Sequence, residues 1–276
     1  MNNLAIGMFD SGVGGLTVLN EVRQILPQES IYYLADTARI PYGEKSREAI
    51  IRYSIENVRF LIEKGIKLLI VACNTASAHA LSVLQAMFDI PIVGVIESGA
   101  EKAVRITKNK RIAVLGTRGT ISSGIYQKEI CERLDGAKVI ALACPLLVPL
   151  IEEKLFSHAA TKMIVQEYLS SLKEQQIDTL LLGCTHYPLL TPLFREELGE
   201  GVSIVDSAST CAETVLTTLQ KMQLQVSQNA IPKYCYFVSD DPHKFQALGR
   251  ELLGFPIEDV LSVDYTSDKS EVYEYR

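Results

Sequence analysis

The sequence predicts an α/β protein built as two pseudo-symmetric parallel-sheet domains that face each other across a central cleft. Three observations carry that prediction. Short apolar runs of Val, Ile, Leu and Ala recur along the chain, as strands buried on both faces of a parallel sheet do. Helix-length stretches separate them, the alternation that covers such a sheet with helices. The same strand-end motifs also occur twice, once in each half.

The strands are expected at 4–9, 31–35, 67–72, 92–96, 111–116, 138–143, 179–183, 202–205 and 234–238. In 46–64 a helix is expected from Ile51, Ile55, Val58 and Ile62, with Gly65 placed to end it. In 157–175, Met163/Ile164, Tyr168 and Leu172 suggest another helical face. The polar tail 265–276 is expected to fray. No Pro/Gly/Ser-rich linker divides the chain.

The repeat is the informative feature. LIVACNTASAHAL (69–81) and LLLGCTHYPLL (180–190) are each an apolar strand ending in Cys, then polar residues and a helix-like stretch, offset by 184 − 73, or 111 residues. DTARIPYGE (36–44) and CPLLVPLIE (144–152) share Pro and Glu spacing at an offset of 144 − 36, or 108. IGMFDSG (6–12) and IAVLGTRG (112–119) lie 112 − 6, or 106, apart. Three pairs in one order suggest two related halves whose strand-end cysteines, Cys73 and Cys184, approach a shared cleft. In open parallel sheets, ligands bind at the carboxyl ends of the strands.

Composition narrows the function. A chain of 276 residues, 47% hydrophobic and 22% charged, has the length for two domains and is not disordered. A net charge of −6 with no basic run argues against nucleic acid as primary partner. There is no signal-like N-terminus and no membrane-length apolar run, so a cytoplasmic protein with reduced thiols is expected. No Cys/His spacing suggests a metal site.

The chemistry-bearing residues cluster at strand ends. A thiol before a helix sits near its positive end, which favours thiolate at Cys73 and Cys184. Asn74-Thr75 and Thr185-His186 bring amide, hydroxyl and imidazole groups beside them. The glycines of FDSGVGGLTV (9–18) permit close approach of the backbone to a ligand, but the segment is neither a P-loop nor a clean dinucleotide fingerprint. Asp10 or Ser11 could cap the helix that follows, and Asp10 could also accept a proton or pair with an ammonium. His186 could tune Cys184 or move protons. His79 reads as a packed helix residue, and His158 and His243 as surface or cap residues. Cys131, Cys144, Cys211 and Cys235 read as buried packing. Two matched thiols across a cleft suit two-base racemisation, in which one takes a proton from carbon and the other returns one to the opposite face.

DSGVGG, PYGEKS, ACNTASA and LGCTHYP, in that order, resemble the glutamate racemases of the cofactor-independent aspartate/glutamate racemase superfamily. The resemblance implies interconversion of L- and D-glutamate without cofactor or metal, supplying D-glutamate for peptidoglycan. It implies that Cys73 takes the proton from D-glutamate and Cys184 from L-glutamate. Asp10 would assist Cys73 and His186 would assist Cys184, with Glu152 a further candidate on that side. Asp10, Ser11, Tyr42, Gly43, Asn74, Thr75, Thr117, Thr120, Thr185 and His186 would bind substrate. One domain would comprise 1–97 plus 207–276 and the other 98–206, and a homodimer is expected. The alternatives are aspartate as substrate, a non-catalytic amino-acid binder on the same fold, or a redox role for the two thiols.

Overall fold

The computed structural model describes residues 4–227, 229–254, 257–264 and 271–274. Among the described residues, eleven strands form two sheets. The first contains β1 (Ala5–Asp10), β2 (Ile31–Ala35), β3 (Ile66–Val71), β4 (Ile92–Gly94), β9 (Tyr234–Val238), β10 (Val260–Asp264) and β11 (Glu271–Glu274), in the order β11-β10-β9-β2-β1-β3-β4. The second contains β5 (Arg111–Gly116), β6 (Lys138–Ala143), β7 (Thr179–Gly183) and β8 (Ser203–Asp206), in the order β6-β5-β7-β8. All pairings are parallel except β10 with β11, which is antiparallel. The four strands β2-β1-β3-β4 therefore share their order with β6-β5-β7-β8, and each of the three repeated segments falls on corresponding strand ends.

Eleven helices connect these strands: α1 (Leu16–Ile25), α2 (Arg47–Glu63), α3 (Asn74–Met87), α4 (Ile96–Ile106), α5 (Arg118–Ser122), α6 (Ile125–Arg133), α7 (Leu147–Glu152), α8 (Ala159–Ser170), α9 (Thr191–Leu198), α10 (Ser207–Lys221) and α11 (Pro242–Leu253). Ser46 caps α2 by accepting from Ala49 N–H, and Gly65 follows it at φ 84°, a left-handed conformation suited to glycine. His158 caps α8 through Ala160 N–H, matching the cap reading.

Several expectations need correction. On α2, Val58 is buried and Ile51 and Ile55 pack half-buried against the same cluster, as expected, but Ile62 is exposed, and Ile50, Ser54, Asn57, Phe60 and Leu61 complete the buried face. Of the face expected around α8, Ile164 and Tyr168 pack against the core and Leu172 is buried, but Met163 is 68% exposed, and the centre of the buried face is Thr161, Val165 and Leu169. That helix stops at Ser170, with a 3-10 turn at Lys173–Gln175. The fourth strand ends at Gly94, because Val95 already has helical backbone and leads into α4. Cys131 is exposed on the outer side of α6, whereas Cys144, Cys211 and Cys235 are buried. In the tail, Glu271–Glu274 form β11 instead of fraying; 265–270, 275 and 276 lie outside the described residues.

The two sheets share a core. Apolar side chains from the α1 face of the first sheet run on through α10 and α4 to Ile112, Val114 and Leu181 of the second. Separate clusters fill the remaining faces, under α2 and α3 and under α7 to α9. The crossovers α4 and α10 pack on each other, so the chain's two passages between sheets lie side by side.

Candidate active site

Cys73 follows β3 and Cys184 follows β7, the third strand of each four-strand unit. The carboxyl ends of both sheets point into one cavity of about 30 Å³, lined by Ser11, Tyr42, Gly43, Cys73, Asn74, Thr75, Thr117, Glu152, Cys184, Thr185 and His186, with Ile40, Pro41 and Val148. That volume holds about two waters, far less than an amino acid needs, so this is a closed form.

The sequence-expected residues thus converge, with two exceptions of placement. Asp10 and Thr120 stand behind the lining. Asp10 is fully buried; its Oδ2 accepts from Gly12 N–H at 2.9 Å and its Oδ1 from the Thr185 hydroxyl at 3.3 Å. It therefore holds a turn and the facing domain together, while α1 starts after Gly15 without a side-chain cap. Thr120 lies within 3.2 Å of the Thr75 hydroxyl and 3.1 Å of that of Thr117, and Thr75 and Thr117 are 2.9 Å apart. The three hydroxyls join α3 to the start of α5. Tyr42 turns its hydroxyl away from the cavity, onto the buried Asp36 carboxylate, and receives Asn57 Nδ2 at 3.1 Å.

The two thiols have different surroundings. Cys184 Sγ is 3.9 Å from His186 Nδ1, and His186 Nε2 is 3.2 Å from Glu152 Oε1. Burial works against a charged imidazole here, but Cys184 and Glu152 override it and raise His186 to about 10. Burial likewise opposes the Glu152 carboxylate, yet the His186 hydrogen bond and charge, with Lys244, take it below the ordinary range. An imidazolium therefore stands between Cys184 and a carboxylate.

Cys73 has no such cation. Its sulfur lies 3.9 Å from the Ser11 hydroxyl and meets the Ala76 N–H. Burial, then the Asp10 charge, push its thiol up to about 12, against the Ala76 N–H at the start of α3. The helix-terminus expectation of a thiolate fails at Cys73, because burial and a carboxylate outweigh the helix. At Cys184 the following segment is a 3-10 turn, Tyr187–Leu190, so the α-helical terminus expected there is absent. Burial also raises Asp10, with the His186 charge foremost among the opposing effects.

Sequence reasoning missed several supporting residues. Thr17 donates to Thr185 O at 3.1 Å, and His79 Nε2 meets Gly119 O at 3.0 Å; both contacts cross between the units. Tyr126 and Ser207 bracket Asn74. Ser207 follows the end of β8, so the strand-end rule applied to a fourth strand would have found it. Nothing in the local sequence marks Tyr126.

Residues 16–215 match the family model described as Asp/Glu/Hydantoin racemase. A glutamate racemase of Geobacter metallireducens is 48% identical over 265 residues, covering 96% of this chain and 98% of its own. The crystal structure of a glutamate racemase isoform from Bacillus anthracis superposes with a TM-score of 0.92 at 42% identity, covering 96% of this chain and 99% of that one. A Francisella tularensis glutamate racemase, solved in complex with D-glutamate, gives 0.89 at 33% identity over 96% and 98%.

Proposed function

The chain belongs to the Asp/Glu/hydantoin racemase family, and from that premise we propose that it interconverts L- and D-glutamate by proton transfer between two thiols, supplying D-glutamate for peptidoglycan. The observation that carries the mechanism is the pair Cys73 and Cys184, delivered from equivalent strand ends of the two sheets to the lining of one cavity.

Cys73, held protonated by burial and Asp10, is the proton donor of the resting enzyme. Cys184, beside the His186 imidazolium, is the acceptor. The closed form is thus set to take the α-proton of L-glutamate at Cys184 and deliver one from Cys73 to the opposite face, giving D-glutamate. The reverse turnover starts with the protons exchanged. Glu152 holds the imidazolium in place. Carbanion charge at the α-carbon needs fixed donors in a water-poor site. Asn74, Thr75, Thr117, Thr185 and backbone N–H groups near Ser11 and Gly43 are suited to hold the carboxylates. The thiols themselves carry both protons, so the mechanism calls for no cofactor.

The cavity admits substrate only if the two units separate. We assign 1–97 plus 207–276 to one and 98–206 to the other; the division follows sheet membership and cuts the chain near the start of α4 and at the start of α10. The proposal extends to a homodimeric, cytoplasmic enzyme, testable by light scattering and fractionation. Among the described residues no helix is long and apolar enough to cross a membrane.

The test is purified protein in deuterated water with D-glutamate, L-glutamate and both aspartate enantiomers, followed by α-proton NMR and polarimetry. Exchange and racemisation of glutamate alone are expected. Aspartate turnover in place of glutamate overturns the substrate, and binding without exchange overturns the catalysis.

A further inference from the structure

Asn74 opens α3 beside Cys73 and lines the cavity, yet its amide is also held from behind. Tyr126 Oη donates to Asn74 Oδ1 at 2.6 Å, and Asn74 Nδ2 donates to Ser207 Oγ at 3.4 Å. Tyr126 belongs to α6 on the second sheet's side and Ser207 to the returning crossover α10. The hydrogen bonds therefore tie three elements together where the chain passes between units. Tyr126 is 1% exposed. Its ring lies against Gly183, the residue before Cys184: a Cβ there would fall 2.9 Å from Tyr126 Cε2. One side chain thus touches the strand end of one thiol and the helix start of the other.

An asparagine amide presents an oxygen on one side and two N–H donors on the other, and its neighbours decide which faces where. The Tyr126 hydroxyl is a donor that burial keeps protonated. Its oxygen is itself hydrogen-bonded by Ser207, and in the structure its own proton goes to Asn74 Oδ1. One Nδ2 hydrogen serves Ser207, and the other is left for the cavity.

We propose that Tyr126 is a positioning residue which, by pinning Asn74 Oδ1, fixes an N–H donor beside Cys73 for the substrate's carboxylate. The inference rests on the racemase reading above and adds to it a residue outside the cavity lining. Without the hydroxyl, the buried Oδ1 loses its partner, a costly state that rotation of the amide relieves. Rotation would turn an acceptor toward a carboxylate.

The experiment is a double-mutant cycle on the full chain, with kcat and KM measured in both directions for wild type, Tyr126→Phe, Asn74→Ala and the pair, and thermal melting of each. Tyr126→Phe is expected to raise the glutamate KM and lower kcat/KM about tenfold when Asn74 is present, and less than about twofold when Asn74 is already Ala. The same loss in both backgrounds, or none in either, overturns the inference, because a purely structural tyrosine acts whether or not the amide is there. If Tyr126→Phe does not fold, Ser207→Ala enters the same cycle, with a smaller loss that must likewise vanish without Asn74. A wild type inactive on glutamate sinks the racemase reading and this inference with it. An active wild type with equal losses sinks this inference alone.

Discussion

The arm carrying Cys73 and the arm carrying Cys184 share a frame but not a chemistry. The order β2-β1-β3-β4 is repeated as β6-β5-β7-β8, and the repeat offsets pair Ser11 with Thr117, Asn74 with Thr185, Thr75 with His186 and Glu44 with Glu152. At the surface Glu44 pairs with Arg118 at 3.3 Å. The counterpart of Arg118 is Gly12, which offers Glu152 no cation. Glu152 turns inward to His186 instead. The symmetric frame suits two enantiomers that are mirror images at the reacting carbon. The broken symmetry suits a reaction in which, at any moment, one thiol must hold a proton and the other must not.

Breaking either arm at its thiol has the largest effect. Cys73→Ser and Cys184→Ser each remove one proton carrier, and racemisation is expected to fall by about 10³-fold or more, with circular dichroism unchanged. Near-normal racemisation by either variant rules out the two-thiol mechanism. His186→Asn comes next, at about 10²-fold in kcat/KM. Racemisation has an equilibrium constant of one, so kcat/KM must drop equally in both directions; the asymmetry between arms appears in the separate kcat values. Equal kcat losses would show that His186 does not belong to one arm.

The same imidazolium sets a pH dependence of stability. His186 is raised from 6.5 to about 10, so the stability its charge contributes is complete below pH 6.5 and is lost as pH rises through about 10. Denaturant midpoints of wild type and His186→Asn should therefore converge over that window. A constant difference would show that the ring is neutral in the folded protein.

Gly14 and Gly119 compare the arms by steric means. A Cβ at Gly14 would sit 2.3 Å from His186 Nδ1 and 2.5 Å from Thr185 Oγ1. At Gly119 it would meet Thr75 Cγ2 at 3.1 Å and Gly43 O at 3.3 Å, a milder overlap. Gly14→Ala is expected to cost about tenfold or more in kcat/KM, and Gly119→Ala about threefold or less. A reversed order would place the sensitive geometry on the Cys73 side.

Much of this frame was legible in the sequence, because buried parallel strands are near-continuous apolar runs and both thiols carry the same strand-Cys-polar pattern. Five strands, including Arg111–Gly116 and Thr179–Gly183, have the expected bounds. What escaped depends on three-dimensional partners. A periodicity of Ile51, Ile55, Val58 and Ile62 finds one edge of the buried face of α2, but not that its centre runs through Ile50, Ser54 and Leu61. The state of Cys73 hinges on burial and on Asp10, far away in sequence, which outweigh a local helix terminus. Tyr126 acts on Asn74 from 52 residues away, with no local mark.

The finest comparison is between Glu152 and Glu44, equivalent carboxylates with opposite fates. Glu152 is mostly buried against His186, and Glu152→Gln removes the charge that helps keep the ring protonated. Its activity is expected to fall about tenfold, and the alkaline limb of the pH profile should move to lower pH, because losing an anion lowers the pKa of a neighbouring cation. Glu44 and Arg118 are both largely exposed. Such pairs contribute about 0.2–1 kcal/mol and are screened by salt, so Glu44→Gln should change kcat/KM less than about twofold and leave the alkaline limb in place. Matching shifts in both variants would mean that general electrostatics of the cleft, and not the contact with His186, governs the limb. A shift confined to Glu152→Gln ties the asymmetry of the two arms to one carboxylate and its contact with His186.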